Sequence, residues 1–209
     1  MGQAALRRRV GLSLVAAAVI VGAVCTTEVL KHWVLERPDL ILRPLYRNSF
    51  PSGHATVAFS VGVAATLVVP PRLRRPAALL AVLYAGGIGV AVVAAGWHRP
   101  SDVVGAYLAT TAWAAAVVAF AARRDDHAYL RPDHAWPEGT VALRYLLGGI
   151  GLAAFGFLVA VAVAFASETG RIGWTIVDAA FLAACASVVA SAAILMAALL
   201  YALRVSTVP

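Results

Sequence analysis

The polar residues of this chain are gathered into short segments between six long apolar runs, at about residues 10–30, 55–69, 77–95, 103–122, 145–166 and 172–203. A helix needs roughly 20 apolar residues to cross a hydrocarbon core about 30 Å thick, and most of these runs are close to that length. The pattern predicts an all-α, polytopic membrane six-helix bundle forming a single integral membrane domain over residues 1–209. Six spans put both termini on one side of the bilayer. The last run is longer than a bilayer requires, so it must tilt, kink or protrude. The first follows Arg7, Arg8 and Arg9 in the manner of a signal peptide. No small-x-small cleavage site comes after it, and Gly22-Ala23-Val24 ahead of Cys25 is a poor lipoprotein box, so a retained helix is expected. Gly87, Ala91 and Ala95, and again Gly156, Ala160 and Ala164, recur at four-residue spacing and predict faces on which helix backbones approach closely.

Composition agrees: 62% of the 209 residues are hydrophobic and 13% charged, which leaves no room for a separate soluble domain. A net charge of +7 would suggest nucleic acid in a soluble protein. Here the charges sort as topology signals. With the N-terminus in the cytoplasm, eleven basic residues fall on the inner side and six on the outer, as the positive-inside rule requires. The short segment at residues 70–76, with Arg72, Arg74 and Arg75 between prolines, is the strongest inner marker. Nucleic acid is therefore not an expected partner. Trp33, Trp97 and Trp174 fall at outer helix ends and fit an interfacial aromatic belt. Cys25 and Cys185 lie in separate apolar runs with no CxxC or Cys/His cluster, so neither a disulfide framework nor a zinc site is expected. The longest polar stretch, residues 123–144, contains His127, His134, Asp125, Asp126 and Asp133, but their spacing matches no ligand motif and a solvated loop is the better reading. Asp178, near the start of the last run, is read as interfacial or capping, and Trp113 as packing. Ala, Val and Arg enrichment suggests a GC-rich coding sequence and a bacterial plasma membrane.

The outer minority of charges is harder to explain by topology. Four of its six basic residues, Lys31, Arg37, Arg43 and Arg47, lie between residues 31 and 54. Three polar segments, containing Lys31 to Pro38, Phe50 to His54 and Trp97 to Asp102, share one side by span parity and can converge. Ser52-Gly53-His54 opens a helix, whose free N–H groups and positive dipole end suit an anion such as phosphate. Gly53 lets the backbone approach and Ser52 adds a hydroxyl donor. Lys31 and Arg37 add fixed positive charge. His98 and Asp102 are four apart, so on a helical turn the carboxylate can accept from one imidazole nitrogen and leave the other as a nucleophile. Lys31 could instead pair with Glu28 one turn earlier.

Lys31 with Arg37-Pro38, Pro51-Ser52-Gly53-His54, and His98-x-x-x-Asp102 resemble the three signature motifs of the type 2 phosphatidic acid phosphatase superfamily, related to vanadium haloperoxidases and bacterial acid phosphatases. The resemblance covers residues 31–105, about a third of the chain. It implies a phosphatidic acid phosphatase-like helical core and a metal-free, cofactor-free hydrolase acting on a lipid phosphate or pyrophosphate, isoprenoid or glycerolipid, at the extracytoplasmic face. By the same resemblance His98 is the nucleophile that forms a phosphohistidine, Asp102 its orienting partner, and His54 the acid for the leaving group. Lys31, Arg37, Ser52 and Gly53 hold the phosphoryl oxygens, and Arg99 is a further substrate-binding candidate. The sequence departs from the family pattern in three places. Five residues instead of six separate Lys31 from Arg37; Ala91-Val92 stands where the third motif begins Ser-Arg; and one span precedes the first motif while two follow the third. A missing phosphate-binding guanidinium opens an alternative, a membrane subunit that binds lipid phosphate without turnover. Oligomeric state is not legible.

Overall fold

A computed structural model of the chain describes residues 2–36, 49–122, 138–168 and 174–205. Among these residues the chain is all helical: α1 (Gly2–Val29) continued by a π-helical turn (Leu30–Val34), then α2 (Gly53–Val68), α3 (Pro71–Ala94), α4 (Pro100–Ala122), α5 (Glu138–Glu168) and α6 (Trp174–Val205). Five of the helices contain stretches of 22 to 27 residues apolar and long enough to cross a membrane. Over its described residues the protein is thus an all-α six-helix bundle with several membrane-spanning helices.

The helix ends follow local chemistry. Ser52, in an extended conformation, caps α2, its Oγ accepting from the Ala55 amide at 3.4 Å. Pro71 takes the first position of α3, where its missing N–H costs nothing. The segment at residues 70–76 is therefore mostly helix rather than a turn: Val69 and Pro70 alone join α2 to α3, and Pro76 sits inside α3. At the other end of α3 the chain closes in a Schellman arrangement. Gly96 takes φ +70°, its amide bonds the Val93 carbonyl at 3.0 Å, and the Trp97 amide bonds the Val92 carbonyl at 3.1 Å.

The core is formed where α1, α2, α3, α4 and α6 meet, around Val19, Phe59, Val63, Leu67, Tyr107 and Met196. Close approaches are made by Gly62, where an added Cβ would lie 2.7 Å from the Cβ of Ala81, and by Gly89 against Tyr107 and Val188. The Gly87, Ala91 and Ala95 face does not pack: all three are exposed, and nothing lies within 4 Å of a Cβ built on Gly87. The face that closes α5 onto α6 uses Gly149 and Gly156, whereas Ala160 and Ala164 point outward. A four-residue spacing marks a smooth face but does not decide whether protein or lipid covers it. Trp113 does pack, over Gly22, and its indole N–H donates to Thr26 Oγ1 at 2.8 Å, tying α4 to α1. Cys25 and Cys185 are both free thiols.

At 16 residues α2 is about 24 Å long, shorter than the hydrocarbon thickness. Ser52-Gly53-His54 lies at its N-terminus. The exposed side chains of α2 form one stripe, His54, Val57, Val61 and Ala65, and most of its other positions are buried.

Candidate active site

The described residues of the three polar segments meet at one end of the bundle. From α1, the π turn widens the helix, the Leu35 amide bonding the Leu30 carbonyl at 2.9 Å, and presents Lys31 and His32. Both are gathered by Glu28: Lys31 Nζ is 3.5 Å from its Oε1, and His32 Nε2 is 3.2 Å from its Oε2. The Lys31–Glu28 pair proposed from sequence spacing is therefore present. It does not take Lys31 away from the second motif. A Cβ built on Gly53 would lie 3.7 Å from Lys31 Nζ and 3.5 Å from Glu28 Oε1, so the ammonium and the carboxylate both sit beside the start of α2. The first amides of that helix have no intrahelical carbonyl to bond, and the positive end of its dipole lies there.

The second and third motifs are fastened together through Asp102, which is wholly buried. The main-chain carbonyl of Asp102 accepts the Ser52 amide at 3.0 Å. Its side chain accepts Ser49 Oγ–H at 2.7 Å and the Arg99 amide at 3.1 Å on Oδ2, and Ser101 Oγ at 3.4 Å on Oδ1. Asp102 is the third residue of α4, and the bond back to the Arg99 amide is half of a capping box. The Phe50 ring lies against Gly105, where a Cβ would come within 2.5 Å of ring atoms.

His98 precedes α4 instead of lying on its first turn, because the helix begins at Pro100. Two main-chain features still turn it toward Asp102: the Gly96 turn, and the His98 amide, which bonds the Val92 carbonyl at 3.2 Å. Its Nδ1 reaches 3.5 Å from Asp102 Oδ2, with the imidazole 11% exposed. That is ion-pair reach but too long for a well-formed hydrogen bond, and Nδ1 is buried without a hydrogen-bond partner among the described residues. Burial holds the imidazole below its ordinary pKa; Asp102 opposes the shift, while the positive charges of Lys31 and His54 add to it. His54 itself is exposed, its ring tilted at 44° to that of Trp97 with centroids 5.8 Å apart.

Of the residues singled out from sequence, Lys31, Ser52, Gly53, His54, His98 and Asp102 are gathered here. Arg99 is exposed, and its described contact is made by its amide. Arg37, Arg43 and Arg47 lie outside the described residues, as do Asp125, Asp126, His127, Asp133 and His134. Val92, in the position of the third-motif arginine, is 5% exposed and belongs to the apolar core. Asp178 is exposed on α6. Ser49 was missed, since no spacing rule marks a serine as a partner for a carboxylate 53 positions away, and Phe50 was named only as the first residue of its segment. Gly96 was also passed over, although a glycine just past an apolar run with a proline soon after signals a helix end.

The profile of the PAP2 superfamily matches residues 11–126, more than half of the chain and all three polar segments. The chain belongs to the PAP2 superfamily, whose members have a membrane lipid-phosphatase-like fold. No curated protein and no solved structure matches it.

Proposed function

We propose that this protein removes phosphate from a lipid-linked phosphate or pyrophosphate, using His98 as nucleophile. The observation that carries the reading is the convergence, at the start of α2, of Lys31, His54 and the buried His98–Asp102 pair. The phosphoryl group sits over the Gly53 and His54 amides, with Lys31 on its oxygens and Ser52 Oγ–H donating from below. An imidazole kept neutral by burial, with Nδ1–H facing Asp102, has its Nε2 lone pair available near neutral pH. Nε2 attacks phosphorus as the P–O bond to the lipid breaks, and His54 gives the leaving oxygen its proton. Neutral His54 then takes a proton from water, the hydroxide oxygen bonds phosphorus, the P–N bond breaks, and inorganic phosphate leaves.

A lipid substrate is supported by the stripe that begins at His54. Val57, Val61 and Ala65 continue it down the exposed side of α2, so a hydrocarbon tail lying there would lead its headgroup to the helix start. The site faces the extracytoplasmic side in this reading, both termini being cytoplasmic. The apolar burial of Val92 favours a second reading, a lipid-phosphate binder without turnover, because the third-motif guanidinium has no counterpart there. Phosphate release from a panel of isoprenoid and glycerolipid phosphates, with His98→Ala and His54→Ala beside the parent protein, separates the two. Turnover lost in both variants supports the enzyme. An inert parent that retains lipid phosphate through purification supports the binder.

A further inference from the structure

Asp102 Oδ2 is shared among more donors than one oxygen serves well. Ser49 Oγ–H approaches to 2.7 Å and the Arg99 amide to 3.1 Å, while His98 Nδ1 stands off at 3.5 Å with no hydrogen-bond partner among the described residues. A carboxylate oxygen offers two lone pairs, and among the described residues two donors lie nearer to this one than His98 does. An orphaned buried nitrogen next to a carboxylate calls for an explanation. Ser49 is well placed to give one, because it is not a loose residue. The Ser52 amide on the Asp102 carbonyl and the Phe50 ring on Gly105 clamp its segment against α4.

We propose that Ser49 is a positioning residue for His98: its hydroxyl occupies Asp102 Oδ2 while the imidazole is neutral and gives way when the ring becomes charged. A hydroxyl rotates at little cost, and a charge-assisted bond from a cationic ring to a carboxylate outcompetes one from a neutral alcohol. Ring charge arises on protonation or, if the phosphatase reading above holds, on phosphorylation of Nε2. Among the described residues, the charged and titratable groups facing His98 are Lys31 from α1, itself paired with Glu28, His54 from α2, and Asp102 from α4, with Arg99 next in the chain. Lys31 and His54 disfavour a charged ring and Asp102 favours it, so whatever draws on Asp102 Oδ2 tunes the charge state of His98.

The test is a pH titration of the full-length protein labelled with 15N-histidine, in detergent, with the His98 resonance assigned by its loss in His98→Gln. Ser49→Ala frees a lone pair for Nδ1 and is expected to raise the His98 midpoint by about half a pH unit or more. Ser49→Thr, which keeps the hydroxyl, leaves the midpoint where it is in the parent. With a lipid phosphate as substrate, the acid limb of kcat/KM moves upward by the same amount in Ser49→Ala while KM changes little. An unshifted His98 midpoint in a folded Ser49→Ala protein overturns the proposal. Should that variant not fold, the nearly isosteric Ser49→Cys is read the same way, with a rise in its favour and no change against it. Because the midpoint is measured without substrate, an inert parent enzyme refutes the phosphatase reading and leaves the role of Ser49 to be decided by the titration.

Discussion

Replacing Asp102 tests two roles that the structure joins in one carboxylate. Asp102→Ala removes the acceptor of the Ser49 hydroxyl and the Arg99 amide. Each donor left unsatisfied in a buried place costs about 1–3 kcal/mol, and the lost capping interaction roughly 1 kcal/mol more. The expected result is a protein that melts several degrees lower or fails to accumulate. Asp102→Asn is the informative variant. Its amide oxygen can still accept from Ser49 and Arg99, so the start of α4 and its clamp to residues 49–52 persist with a smaller loss. What disappears is the negative charge 3.5 Å from His98 Nδ1, which would stabilise the ring as it becomes cationic during attack. Removing such a partner costs on the order of 10²–10⁴ in rate. Thermal melting in detergent reads the first role and release of inorganic phosphate from a lipid phosphate reads the second. An Asp102→Asn enzyme that retains its melting temperature and turns over within about threefold of the parent would refute the reasoning, because Asp102 would then be a helix cap alone.

Other outcomes follow from the same geometry. His98 is held below the ordinary imidazole value by burial, with Lys31 and His54 adding to the shift, so kcat/KM should stay level as pH falls through about 6.5 and decline only below it. The same lowered value means the unfolded chain binds the proton more readily. The stabilisation from a neutral buried His98 is therefore present above the unfolded value and lost as pH falls through the folded one, which melting temperatures in a pH series will show. Val61→Trp should lower kcat/KM for a long-chain lipid phosphate by tenfold or so, leaving a short water-soluble phosphate ester nearly unaffected, because Val61 lies on the exposed stripe below His54. Val92→Arg, which would restore the family's residue, places a charge at a 5% exposed site in the apolar core. It should cost several kcat-independent kcal/mol of stability, seen as a fall in melting temperature, and not a gain in turnover.

Much of the bundle could be read along the chain because a membrane helix declares itself by length and apolarity alone. The number of helices and the shared end for the three polar segments came from that signal. Boundaries were less legible: residues 70–76 read as a turn because of their prolines, yet Pro71 suits the first position of α3 and the helix absorbs the rest. Packing was legible only in kind. Gly62 and Gly89 make the close approaches, while the more regular series from Gly87 to Ala95 faces outward. The site shows the same division. Lys31, Ser52, Gly53, His54, His98 and Asp102 carry chemistry in their side chains and stand at telling intervals. Ser49 and the carbonyl of Val92 act through contacts created by the fold, a hydroxyl on a distant carboxylate and a main-chain oxygen that holds the His98 amide. His98 was expected on the first turn of a helix and comes instead from the loop before it, so the same four-residue interval brings the pair together by a different route.

The central claim is that the His98 imidazole takes the phosphoryl group from a lipid. It is tested most directly by mixing the protein with a lipid phosphate carrying 32P, quenching in alkali within the first turnover, and mapping the label by peptide mass spectrometry. An alkali-stable, acid-labile phosphate is expected on His98, absent from His98→Ala and formed in parallel with release of the dephosphorylated lipid. Release of phosphate by His98→Ala at the parent's rate, or a label carried by any other residue, would contradict it.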